Sequence, residues 1–127
     1  MSNLQSGPSI PPKRKGLPRL IAAARYSLDG LRSAFASEEA FRLEVLVFVI
    51  FTPIALWLGE TAVERVLLIS SLLLLLIVEL LNTAVEALVN RISPEYHDLS
   101  RKAKDIGSAA VFLAMLLVAV VWGMLLL

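Results

Sequence analysis

Two carboxylates and an amide interrupt an apolar run in the stretch Val78-Glu79-Leu80-Leu81-Asn82-Thr83-Ala84-Val85-Glu86. On a helix turning ~100° per residue, Asn82 lies ~60° around the axis from Glu79, and Glu86 lies ~20° from it. Asn90 falls on the same side. One narrow face of a greasy helix is therefore acidic. Ionisable groups at membrane depth are costly, and the default reading is a functional site facing protein or water. Carboxylates so placed can hold a cation or take a proton. Glu79 and Glu86 are ~10 Å apart along the helix rise, too far to share one ion easily. The spacing suggests two separate jobs. A purely structural reading, interhelical hydrogen bonding in an oligomer, suits Asn82. It suits two like charges on the same face less well.

The elements that must position this face are membrane helices. The chain of 127 residues is 57% hydrophobic and only 18% charged, more apolar than a soluble domain. Val45 to Gly59 is apolar apart from Thr52. Val66 to Leu81 is apolar but for Ser70, Ser71 and Glu79. Ala109 to Leu127 carries no charge. A span needs about 20 residues, which predicts transmembrane helices over 40–59, 63–91 and 104–127. Ahead of them, Leu17, Leu20, Ile21, Ala24, Leu28, Leu31 and Phe35 recur at helical spacing. This predicts an amphipathic surface helix over 17–35, with Pro18 in its first turn. Residues 1–16, with Lys13-Arg14-Lys15 and several prolines, read as a disordered basic tail without a cleaved signal. The rest, 17–127, reads as a single membrane domain. Three spans enclose little alone, so self-association is expected.

Local signals fill in the connections. Ser37 is expected to cap the first span, with Glu38 and Glu39 at the positive end of its dipole. Glu44 borders the apolar run and is expected to pair with Arg42 or Arg32. Pro53 is a candidate kink, and Trp57 suits an interfacial belt. Gly59-Glu60-Thr61 reads as a short outer turn, and Ser93-Pro94-Glu95 as a helix start. His97 is the only histidine and reads as solvated. Gly107, Ser108, Ala109 and Ala110 allow close helix contact. Basic residues crowd the N-terminal segment and the loop from Arg91 to Lys104, while Arg65 is alone in the first loop. The positive-inside rule then places the N-terminus and the second loop in the cytoplasm, and the C-terminus outside. Cysteine is absent, which excludes disulfides and thiolate metal sites. No nucleic-acid partner is expected. GxxxxGK[ST], GxGxxG and the soluble kinase loop are also missing.

Several segments together resemble the prokaryotic diacylglycerol kinases. They are Tyr26-Ser27-Leu28-Asp29-Gly30-Leu31-Arg32, Glu38-Glu39-Ala40-Phe41-Arg42-Leu43-Glu44, the Glu79 stretch, Glu95-Tyr96-His97-Asp98-Leu99-Ser100, and Ala103-Lys104-Asp105-Ile106-Gly107-Ser108-Ala109-Ala110. The resemblance runs from about Arg19 to the C-terminus. It implies an all-α membrane fold with a surface helix and three spans, assembled as a homotrimer in the bacterial inner membrane. It implies phosphorylation of diacylglycerol to phosphatidic acid with Mg-ATP as donor, so that Mg²⁺ is the cofactor and membrane lipids are partners.

The same resemblance implies the roles. Glu79 would be the general base; Glu38 and Glu86 would hold magnesium. Asn82 and Glu44 would order the site. Arg19, Tyr26, Glu38, Glu86, Glu95, Tyr96, His97, Lys104 and Asp105 would lie beside the nucleotide. Arg19, Arg32, Ser33, Ala34, Phe35, Ala40, Phe41, Arg42, Leu43, Glu44, Glu79 and Ser108 would lie on the lipid side. Mg²⁺ usually takes one or two carboxylates plus phosphate oxygens and water, which suits Glu38 with Glu86. Asn90 stands where family members often carry aspartate, and Ala22 where lysine is common. The rivals are an undecaprenol kinase of the same type and a small proton- or cation-conducting oligomer. The second has no use for the cations of Lys102 to Lys104 or for a surface helix carrying Arg19.

Overall fold

The computed structural model describes residues 15–92 and 97–127. They form four helices: α1 (Leu17–Ser37), α2 (Glu39–Leu58), α3 (Ala62–Ile92) and α4 (Asp98–Leu126). Of these, α2, α3 and α4 are each long and apolar enough to cross a membrane. The expected spans are matched to within a residue or two for α2 and α3. By contrast α4 begins at Asp98, well before 104, because hydropathy marks where a span becomes apolar and not where its helix begins. The expected start at Ser93-Pro94-Glu95 lies outside the described residues.

One compact unit ends at Ser33 and the other is Ala34–Leu127. In the first, α1 follows Gly16, whose φ of 68° is left-handed and suits glycine. Ser27 Oγ donates to the Ala23 carbonyl, and Arg32 lies 3.9 Å from Asp29.

In the second unit, one stripe of α3 organises the packing. Leu68, Leu72, Leu75 and Glu79 are all buried. They follow each other at steps of four, three and four residues, and Asn82 and Glu86 continue the progression. The antiparallel α4 presents a matching stripe. Leu75 packs with Val111 and Ala114, flanked by Val78 and Val118. At the far end Trp122 Nε1 donates to the Leu68 carbonyl at 3.2 Å. Phe51 of α2 meets the Trp122 ring edge-on, centroids 5.6 Å apart.

The turns have local causes. Between α2 and α3, Thr61 Oγ1 accepts from the Glu64 amide at 3.1 Å, and Glu64 Oε2 accepts from the Glu60 amide at 2.8 Å. This Thr-x-x-Glu arrangement is a variant of the capping box. Arg65 Nε ties the same turn to the Gly59 carbonyl at 3.0 Å. At the start of α2 the expected cap is corrected. Ser37 is the last residue of α1, and Glu38 occupies the cap position with extended backbone and no side-chain cap hydrogen bond.

Candidate active site

The apolar stripe of α3 turns polar at Glu79, and α2 contributes to the same place. Glu79 is only 5% exposed. Its carboxyl group shares a hydrogen bond with that of Glu44 on α2. A hydrogen bond between two carboxyl groups requires one proton held between them. The charges of Glu86 and Glu38 also reach Glu79. Glu38, Glu44, Glu79 and Glu86 are thereby gathered from the start of α2 and the middle of α3.

This corrects the expected pairing of Glu44. Its partner is Glu79, and the arginines are engaged elsewhere. Arg42 Nη1 donates to the carbonyls of Phe35 at 2.7 Å and Ala36 at 3.1 Å, covering the open end of α1. Arg32 is beside Asp29. The short link between α1 and α2 is thus fixed by a cation on carbonyl groups, and Glu38 is left with its carboxylate unused by any cap.

Asn82 is the hinge of the polar stripe. Its Nδ2 donates to Glu86 Oε1 at 3.3 Å. Its Oδ1 is buried without a hydrogen-bond partner and faces α4 at Gly107. Asn82 and Gly107 border a groove of about 470 Å³ between α3 and α4, walled mainly by Val78, Leu81, Val85 and Ile106. The small residues at the start of α4 divide by face. Gly107 meets α3, whereas Ser108 and Ala109 are exposed.

Other expected site residues occupy the ends of the helices. His97 caps α4: its Nδ1 accepts from the Leu99 amide at 3.1 Å, so it is not merely solvated. Lys104 and Asp105 are exposed. Asp105 is 3.4 Å from Arg101, one turn earlier on the same helix. Viewed along α4, Lys104 is ~60° from Gly107 and Asp105 ~160° from it. Lys104 therefore flanks the α3-facing side, and Asp105 lies on the opposite side. On α1, Arg19, Tyr26 and Arg32 are exposed, and Ser33 follows them. Ala34 and Phe41 are buried, while Phe35, Ala40 and Leu43 are exposed. Glu95 and Tyr96 lie outside the described residues. Asn90 is exposed.

The donor set suits a hard divalent cation. Glu38 and Glu86 offer carboxylate oxygens, and the Asn82 bond to Glu86 Oε1 leaves Oε2 available. Among the described residues no group of three or more acidic, histidine or cysteine side chains is arranged to hold a metal. Mg²⁺ takes one or two carboxylates and fills its shell with phosphate oxygens and water.

A small all-α membrane protein with a buried carboxyl group, Glu79, paired to a second one across two apolar helices is the class that fold and site define. The model of the prokaryotic diacylglycerol kinases matches residues 25–126. Three diacylglycerol kinases are similar over most of their length. That of Haemophilus influenzae is 52% identical over 111 residues, covering 87% of this chain and 94% of the relative. That of Escherichia coli K12 is 51% identical over 111 residues, covering 87% and 91%. That of Pseudomonas aeruginosa is 50% identical over 112 residues, covering 88% and 91%. The chain belongs to the prokaryotic diacylglycerol kinase family and is a membrane kinase of that type.

Proposed function

We propose that the chain transfers the γ-phosphoryl group of ATP to diacylglycerol at the cytoplasmic side of the membrane, with Glu79 as general base and Glu38 and Glu86 as ligands of Mg²⁺. The observation that carries this is the axial order of the α3 stripe: buried Leu68, Leu72 and Leu75, then buried Glu79, then half-buried Asn82 with Glu86. Glu79 sits where apolar packing ends, the depth at which a lipid hydroxyl can be presented. Glu86 lies two turns further on, toward the end of α3 that carries Arg91.

The chain's own groups divide the work. Glu79 is held in orientation by its hydrogen bond with Glu44. As the lipid hydroxyl oxygen bonds to the γ-phosphorus and the bond to the β-phosphate oxygen breaks, Glu79 takes the hydroxyl proton, leaving phosphatidic acid and ADP. Glu86 is oriented by Asn82, so that one of its oxygens is committed and the other is free. Bound Mg²⁺ would neutralise phosphate charge between Glu38 and Glu86. Lys104, flanking the same side, suits a phosphate group. Burial excludes water that would otherwise compete for the phosphoryl group.

The position of Asp105 supports an assembly with shared sites. If Asp105 serves the nucleotide, it faces away from the carboxyl cluster of its own chain, so a homotrimer in which neighbouring copies complete each site accounts for both. The excess of basic residues before α2 and between α3 and α4 supports a cytoplasmic N-terminus and second loop.

The test is a phosphoryl-transfer assay in mixed micelles with Mg-ATP and either diacylglycerol or undecaprenol. Product with diacylglycerol, and its loss in Glu79→Gln, is expected. Full turnover in that variant would remove Glu79 as the base; product with undecaprenol alone would replace the acceptor. Mixing inactive Glu79→Gln with inactive Asp105→Asn chains should restore activity if sites are shared between copies.

A further inference from the structure

We infer that Gly107 is a positioning residue of this site, because the absence of its side chain sets the orientation of Asn82 and, through it, of Glu86. The inference rests on the reading of Glu86 as a metal ligand. A Cβ built on Gly107 would fall on Asn82 Oδ1 and stand 3.3 Å from Asn82 Cγ. The clash is with the amide tip, while Asn82 Cβ stands 4.0 Å away, so a side chain at 107 would make the amide turn out of its present orientation. Gly123, on the same helix, has nothing within 4 Å of such a Cβ. The requirement for glycine therefore belongs to position 107 and not to α4 in general.

The contact also fixes which way the amide points. With Oδ1 against Gly107, the amide NH₂ is directed at Glu86 Oε1. Turned over, the amide would set its oxygen against a carboxylate oxygen, acceptor against acceptor. The glycine Cα–H occupies the direction a Cβ would take, which gives the otherwise unpartnered Oδ1 a weak donor. Gly107, Asn82 and Glu86 thus form a line from α4 to the metal-binding carboxylate. A neighbour that orients a metal ligand normally matters nearly as much as the ligand.

Four proteins test this: the wild type, Gly107→Ala, Asn82→Ala and the double variant, with Gly123→Ala as a control. The readouts are the Mg²⁺ concentration for half-maximal phosphorylation and the thermal unfolding midpoint measured without Mg²⁺. Gly107→Ala and Asn82→Ala should each raise the Mg²⁺ requirement, by roughly 10- to 100-fold. The double variant should need no more Mg²⁺ than Asn82→Ala. It should also unfold at a higher temperature than Gly107→Ala, since a truncated residue 82 leaves room for the new methyl group. Gly123→Ala should match the wild type. A shifted requirement in Asn82→Ala but not in Gly107→Ala would overturn the inference and leave the role of Asn82 standing. So would losses that multiply in the double variant, or a double variant as unstable as Gly107→Ala. A wild-type requirement in Asn82→Ala would remove the metal-ordering role of Asn82 and this inference with it.

Discussion

The two halves of the buried α3 stripe obey the same geometry and do different work. From Leu68 to Leu75 the side chains mostly fill space against α2 and α4, and the Leu68 carbonyl accepts from both Ser71 Oγ and Trp122 Nε1. From Glu79 to Glu86 the same spacing carries carboxyl groups and an amide that meet particular groups: Glu79 meets Glu44, the Asn82 amide donates to Glu86, and the Asn82 oxygen faces Gly107. In the apolar half any side chain of suitable volume would serve. In the polar half atom identity matters, since each group fixes the protonation or orientation of the next. One helix can support both because packing in the first half holds the second in register.

Substitutions in the two halves should therefore separate activity from stability. Glu79→Gln keeps size and can still hydrogen-bond Glu44, but it cannot accept a proton. Lipid phosphorylation should fall to near background in a micelle assay, with the unfolding midpoint unchanged. Glu86→Gln should retain a fold of wild-type stability and lose roughly 10- to 100-fold in apparent Mg²⁺ affinity, read from activity against Mg²⁺ concentration. In the other half the pattern should invert. Leu68→Ala empties a site with no exposed surface, and should cost about 2 kcal/mol or more in reversible unfolding in micelles, with turnover per folded molecule preserved. Trp122→Phe keeps an aromatic ring but removes part of the indole together with its N–H bond to the Leu68 carbonyl. The lost bond itself should cost only about 0.6 kcal/mol, the average for such bonds between membrane helices, so the unfolding midpoint should fall less than in Leu68→Ala. A large activity loss in Leu68→Ala without loss of fold would break the division.

The sequence exposed these halves unequally. The spans were legible because long apolar runs admit few alternatives, and the acidic face because helical period alone places Glu79, Asn82 and Glu86 together. Family motifs suggested roles for them. Contacts between helices were not legible. Sequence alone points Glu44 to nearby arginines because local charge pairs are visible in it, whereas its partner Glu79 lies on another helix. Arg42 lay close in sequence and went to backbone carbonyls, which leave no compositional trace. Gly107 read as one of several small residues, and only the register of α4 against α3 singles it out from Ser108 and Ala109. Hydropathy alone places the start of α4 too late, at 104, because polar residues extend a helix beyond its hydrophobic limits. The Thr61-x-x-Glu64 cap is a short pattern that could have been found.

The stepwise spacing of the stripe has a consequence for how the chain can change length. Inserting or deleting one residue between Leu75 and Glu79 would rotate everything beyond it by ~100°. The carboxyl groups would then leave the seam while the apolar half stayed in place. Adding seven would restore the face to within ~20° but push Glu86 further along by ~10 Å. Substitution is therefore open to this helix over much of its surface, but a change in length is not. Variation in chain length among related proteins should collect in the tails and turns and spare the segment from Leu68 to Glu86.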